Sequence, residues 1–455
     1  MNVQQLRKQA KELVKAARAG DEQALRRLDG REPILARAQL VVAREHGFAS
    51  WPAVVAAAEA NAGAFVLAAT DRRRDRAEAM LAARPEIERD PWARLVLGRG
   101  WDGDVDAPGG PRGWAPILYA AHSVFAPRGL LRELLERGAD PNATFTNEYG
   151  EMSALYGAAG VVHDPEMTRL LLEAGADPDD NESLYHSTEA ESPECLRLLL
   201  EHGAETRNTN ALAHALDHDR IEHARLLLEH GADPNEFASL AFAVRRGRGP
   251  EFMRLLVDYG AELERPGAEM WRGDVPVKTA YQHAVLRGMD DVAVTLAELG
   301  ASPGVDAGDL AVVAFARGDG PAAAMPAELD PDQQDVLILA ALRGRLEALV
   351  DALGPNYRGV VGAGPSGTLL HHAAWVGYAD TTRALLARGA DPVAASGMEF
   401  DSPAAWCALG SQHWALPGRD YVSVMEQILA AGGELEDRFA DVAHGPLHEW
   451  LLARE

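Results

Sequence analysis

One phrase returns along this chain: an apolar helical run that ends in glycine, alanine and an acidic or polar residue. It reads LLRELLERGADPNA, TRLLLEAGADPDD, CLRLLLEHGAETRN, ARLLLEHGADPNE, FMRLLVDYGAELER, TLAELGASPG and RALLARGADPVA. Leucines one and four residues apart form an apolar stripe and the glycine supplies a left-handed stop, so each phrase is a short helix with its terminus. The stops are Gly138, Gly175, Gly203, Gly231, Gly260, Gly300 and Gly389, with a variant at Gly432. Their successive separations are 37, 28, 28, 29, 40, 89 and 43 residues, and the gap of 89 holds two eroded units at 309–329 and 335–354. Length alone, 455 residues, would suggest about three globular domains. A recurring period points instead to a stack in which each helix pair buries its apolar face against the next.

Ahead of each stop lies a shorter, alanine-rich helix, and the clearest pair is TLLHHAAWVGYADTTRALLARGADP at 368–392. That stretch closely resembles the ankyrin repeat, whose signature is Thr-Pro-Leu-His, an Ala-Ala pair, a glycine and the Leu-Leu…Gly-Ala-Asp ending. The resemblance runs from about residue 63 to the C-terminus and is weak near 309–354, where the Gly-Ala-Asp ending is missing. It implies an all-α fold, an ankyrin-repeat solenoid of about ten helix-turn-helix units with short hairpin fingers and helical caps. It also implies a binding scaffold that holds a protein or peptide partner in the concave groove of the array.

Residues 1–60 are expected to form an N-terminal module resembling the helical cap ahead of bacterial ankyrin arrays, 61–438 the array, and 439–455 a C-terminal capping helix with Trp450 and Leu451 on one side. In the first of these, Val3, Leu6, Ala10, Leu13, Val14 and Ala17 make a helical stripe that Gly20 and Asp21 end. A further helix stops at Gly47, and Ser50 caps the next.

Gaps of 28 and 29 are shorter than the family's roughly 33 residues, so the middle units lose most of the finger between helix pairs. The longer gaps add TFTNEYGEM at 144–152, LERPGAEMWRGDVPVK at 263–278 and a tract around GSQHWALPGRD at 410–420. Phe145, Tyr149 and Trp271 are expected to project from these insertions as apolar anchors.

In ankyrin repeats the residue before the Ala-Ala pair, and those one and two after it, form a stripe on the concave face. The first position here reads Tyr119, Gly157, His186, His214, Phe242, His283, His372 and Trp406. The later two supply His122, Glu189, Asp217, His218, Arg245, Arg246, Arg287 and Trp375. The expected ligand-binding residues are Tyr119, His122, Phe242, Arg245, Trp271, His283, His372, Trp375, Trp406, His413 and Trp414. Trp375 occupies a normally solvent-facing position where a large ring has little structural use, so the binding surface is expected to centre on Trp375 and Trp406.

Catalytic motifs are few. GAGPSG at 362–367 lacks the Lys-Ser or Lys-Thr ending of a phosphate loop, and neither His-Glu-x-x-His nor Cys-x-x-Cys occurs. The remaining candidates are His186 with Glu189, and His214 with Asp217 and His218, where a carboxylate three residues from an imidazole supports general acid/base chemistry. The alternative reading is therefore a small-molecule-binding protein or enzyme using this aromatic, histidine and acid-lined groove. Such clusters also bind zinc, yet no ligand spacing here is diagnostic, and neither a metal nor a cofactor is expected.

Formal charge is −25, which repels phosphate backbones and anionic lipid, so neither nucleic acid nor membrane is an expected partner. The basic run at 72–76 reads as a solvated helix connection. No apolar run approaches the ~20 residues of a membrane span, and the charged N-terminus has no signal-peptide core, which makes a cytoplasmic location the default. Cys195 and Cys407 lie too many repeats apart to bridge and are expected to be reduced, buried thiols.

Overall fold

All eight glycine stops adopt φ between 87° and 104°, a left-handed conformation that costs glycine little and other residues more. After seven of them an alanine N–H donates back to the carbonyl five residues earlier: Ala139 to Leu134, Ala176 to Leu171, Ala204 to Leu199, Ala232 to Leu227, Ala261 to Leu256, Ala301 to Leu296 and Ala390 to Leu385. Gly433 repeats the bond to Ile428. The residue four before each stop is in every case a fully buried aliphatic side chain. One position thus accepts the terminating hydrogen bond and fills the core, which is why the phrase recurs with so little change.

The computed structural model describes residues 3–31, 33, 35–48, 50–148, 150–180, 182–267, 278–362, 364–413, 418–436 and 438–452. The chain divides into two compact units, Met1–Ser239 and Leu240–Glu455.

The first unit begins with helices Val3–Arg18, Glu22–Arg27, Leu35–Glu45 and Trp51–Glu59. Their apolar stripe closes a core of its own around Leu13, Leu28, Val42 and Val54, and Trp51–Glu59 packs on the helix Arg74–Ala83. Helix pairs follow: Pro116–Ala121 with Arg128–Glu136, Ala154–Tyr156 with Pro165–Glu173, Ser183–Ser187 with Glu194–Glu201, and Ala211–Asp217 with Ile221–Glu229. The longer helices of successive pairs pack on one another, as do the shorter ones. The insertion at 144–152 is an antiparallel hairpin, Thr144–Asn147 with Gly150–Ser153. Phe145, expected to project, instead stacks on Trp114 with ring centroids 4.0 Å apart; Tyr149 and Trp271 lie outside the described residues. The basic run is used internally: Arg72 and Arg74 donate to the carbonyls of Gly160 and Val124, and Arg76 pairs with Glu59.

The second unit pairs Ala280–Leu286 with Asp290–Glu298, Leu369–Val376 with Ala379–Ala387, and Pro403–His413 with Tyr421–Ala430. Gly410 brings the two shorter helices of the last pairs together, since a Cβ there would lie 2.1 Å from the Trp375 carbonyl oxygen. Across 309–354 the order changes. Helix Ala307–Arg317 is followed by a three-residue 3₁₀ turn, Ala322–Ala324, in place of a longer helix, and then by Pro331–Ala340 and Leu346–Leu353. Helices Phe439–Val442 and Gly445–Leu452 close the end of this unit through Phe439, Leu447 and Leu451. Cys195 and Cys407 are both buried free thiols, and burial pushes Cys195 up to about 11. Among the described residues no helix is long and apolar enough to cross a membrane.

Candidate functional site

At three of the stripe positions before the Ala-Ala pair the side chain is bonded to the finger that precedes it. Tyr119 Oη donates to the Gly109 carbonyl at 2.9 Å, His283 Nε2 donates to Gly267 O at 3.1 Å, and His372 Nε2 donates to Gly359 O at 3.0 Å. Each acceptor glycine belongs to a short antiparallel bridge, with Trp114, Lys278 and Gly367 respectively. Tyr119, His283 and His372 are all buried, so these side chains clasp finger to helix. Burial holds the imidazole of His283 down at about 3 and that of His372 at about 4. His122 is likewise buried, bonded to Leu118 O at 2.9 Å, and burial lowers it to about 4. Gly157 makes room for that ring: a Cβ there would lie 2.4 Å from His122 Nδ1.

In the first unit, the proposed acid/base residues come together. His186 Nδ1 lies 2.5 Å from Glu189 Oε1, and its Nε2 lies 3.2 Å from Glu182 Oε2. His214 stacks on Tyr185 with centroids 3.7 Å apart, and the His218 ring stands edge-on to it at 4.6 Å. One ligand atom from each of Glu189, His214 and His218 falls within 4.8 Å of the others. Burial opposes ionisation of Glu189, but the His186 hydrogen bond and charge, aided by Arg72, outweigh it and hold the carboxyl at about 2. Burial lowers the His214 imidazole below its ordinary value. Asp217 and His218 are exposed.

The second unit contains a cleft of about 550 Å³ lined by Leu286, Val313, Val336 and Leu339 together with Arg245, Arg246, Arg287, Arg317 and Arg343. Among the described residues Arg245 pairs with Asp332 at 3.1 Å, Arg287 with Asp335, and Arg317 with Asp290 at 2.6 Å. Arg246 lies over the half-buried Phe242 ring at 4.5 Å. In the same unit Lys278 Nζ bridges Asp309 and Asp330, 3.0 Å from each, and Gln333 donates to Asp309 at 2.8 Å. Farther along the same unit Trp406 is buried, edge-on to His371 and His372 at 5.0 and 5.3 Å. Trp375 stays partly exposed against its edge at 6.0 Å. His413 ends the helix Pro403–His413, and Trp414 lies outside the described residues.

The family model described as "Ankyrin repeats (3 copies)" matches residues 155–238, and the single ankyrin repeat matches 367–396. The chain is an ankyrin-repeat protein. A comparison with curated proteins gives no match. Solved structures similar to this ankyrin-repeat chain include the human ASB11 ankyrin repeat domain, at 20% identity over 53% of this chain and 99% of that one, TM-score 0.36. The ankyrin repeat domain of Bcl-3, a member of the IkappaB protein family, is 25% identical over 41% of this chain and 87% of that one, TM-score 0.35. An ankyrin repeat domain from Acinetobacter baumannii is 23% identical over 41% and 98%, TM-score 0.35.

Within this ankyrin-repeat framework, sequence reasoning missed Arg317, Arg343, Lys278, Asp309, Asp330, Asp332 and Asp335. A signal was present: acids at 330, 332 and 335 share helical spacing with apolar Leu337 and Ile338, and an acidic side chain on a core-facing stripe requires a buried cation.

Proposed function

We propose that this chain is a scaffold that holds a protein or peptide partner along the stripe of its shorter helices, at a cytoplasmic location. Ankyrin repeats in general are protein–protein interaction modules. The observation that carries the reading is the arginine-lined cleft: five guanidiniums, those of Arg245, Arg287 and Arg317 paired with carboxylates, share its wall with apolar side chains. Guanidiniums grouped around apolar side chains suit a segment that carries both an acidic group and apolar side chains, oriented by charge and seated by burial. Trp375, partly exposed on the same unit, is a second anchor.

A photo-crosslinking residue placed at 343, at 375 or at 383 on an outer helix tests this in cells. Crosslinks to one protein from 343 and 375 but not from 383 support the scaffold. Crosslinking from 383 alone, or no loss of the adduct on Arg246→Glu, overturns it.

One observation favours a second reading. A volume of about 550 Å³ lies within the ~300–1,000 Å³ of small-molecule sites, which suits a compact amphiphilic anion in the same cleft. Native mass spectrometry of the purified chain distinguishes the two by showing or lacking a retained small ligand.

A further inference from the structure

The His/Glu cluster of the first unit carries a conclusion that neither the scaffold reading nor the resemblance supplies. Glu189 follows one short helix, Ser183–Ser187, whereas His214 lies in the middle of the next, Ala211–Asp217, and His218 caps its C-terminus. Packing of successive repeats, not local sequence, brings one donor atom from each to within 4.8 Å of the others. Ligand atoms on a tetrahedral zinc lie roughly 3.3 Å apart, given bonds of about 2.0–2.2 Å. The difference is small, and the exposed His218 side chain can turn to close it.

The surroundings of the donors match those of metal ligands. Thr188 Oγ1 gives its proton to Tyr185 O at 2.7 Å, so its lone pairs face His214 Nδ1 at 2.8 Å. Tyr185 O faces the same nitrogen at 3.1 Å. Two acceptors fix the proton on Nδ1 and leave Nε2 as the ring atom able to bind a cation, the arrangement that orients metal-bound histidines. The stack on Tyr185 holds the ring plane. Glu189 is steadied by His186 on one oxygen and by Arg72 on the other at 3.4 Å. The Arg72 pair is half exposed and weak, so a divalent ion displaces it.

We propose that Glu189, His214 and His218 bind a divalent first-row transition cation, with zinc as the reference ion. Two imidazoles and one carboxylate favour this class over calcium or magnesium, which take oxygen donors. Three protein ligands leave coordination positions for water.

The test is titration of the metal-stripped full-length chain with Zn²⁺ alone by calorimetry, and with Co²⁺ alone by its visible absorbance. One equivalent is expected to bind with micromolar or tighter Kd, and neither Ca²⁺ nor Mg²⁺ to compete at millimolar concentration. Glu189→Gln and His218→Ala, whose fold is checked by circular dichroism, should each weaken binding at least tenfold. His202→Ala, on an exposed outer-helix end, should leave it unchanged and excludes adventitious histidine binding. Absence of a stoichiometric site below 100 μM, or equal affinity in wild type and both site variants, overturns the proposal.

Discussion

A buried, neutral histidine makes folding stability depend on acid. In the unfolded chain His283 takes up a proton near pH 6.5, but in the folded chain burial holds it down to about 3. Between those values the unfolded state binds more protons, so the stability is fully present above pH 6.5 and is lost as pH falls toward 3. At 1.36 kcal/mol per pH unit the loss from this residue reaches about 2 kcal/mol by pH 5. Unfolding free energies from urea titrations at pH 7 and pH 5 check it: His283→Gln, which keeps a donor for Gly267 O without titrating, should narrow the difference by about that amount. An unchanged pH slope would count against the clasp. At the proposed partner site, Trp375→Ala should weaken binding of a crosslinked partner by about 2 kcal/mol, as truncating a central aromatic anchor does. Arg383→Ala should have almost no effect, and equal losses from both would mean the ring is not an anchor.

At the scale of elements, the stretch 309–354 shows what the repeat signature hides. The missing Gly-Ala-Asp ending reads as erosion, and one longer helix is indeed replaced by the turn Ala322–Ala324. Lost apolar burial is accompanied by charge: Asp309, Asp332 and Asp335 are each 3% exposed or less and face Lys278, Arg245 and Arg287. Removing one member of such a buried set strands the others, which costs on the order of 3 kcal/mol. Lys278→Met should therefore lower stability by roughly that amount, and adding Asp309→Asn should restore part of it; a purely additive double variant would deny the coupling. Native-state hydrogen exchange should find the fastest amides of the second unit around 318–329, where one turn replaces a helix. The helix stops were legible because one residue type serves both cap and packing. The stripe was legible as a set of positions, but not its roles: Tyr119, His283 and His372 bond carbonyls 10, 16 and 13 residues away, and no local pattern encodes those partners. Glu189 meets His214 and His218 for the same reason, through the stacking of neighbours.

For the molecule as a whole, stability is distributed over layers that each depend on the next, and two compact units need not melt together. Heating is expected to give more than one transition. Tryptophans report on each: Trp92, Trp101 and Trp114 lie in the first unit, Trp375 and Trp406 in the second. Coincident fluorescence and circular-dichroism curves with equal calorimetric and van't Hoff enthalpies would rule this out. The even spacing from Gly175 to Gly203 to Gly231 also bears on how such a chain changes over generations. Consecutive periods there carry almost the same outer helix, CLRLLLEHGAE and ARLLLEHGADP, with the same buried leucine and the same stop. Unequal recombination between them adds or deletes a whole layer and leaves every remaining core contact of the same kind. A crossover within 309–354 instead separates acids from the cations they pair with, and each buried charge so stranded costs on the order of 3 kcal/mol. Gain or loss of a repeat is thus expected to be better tolerated in the leucine layers than in the charged ones.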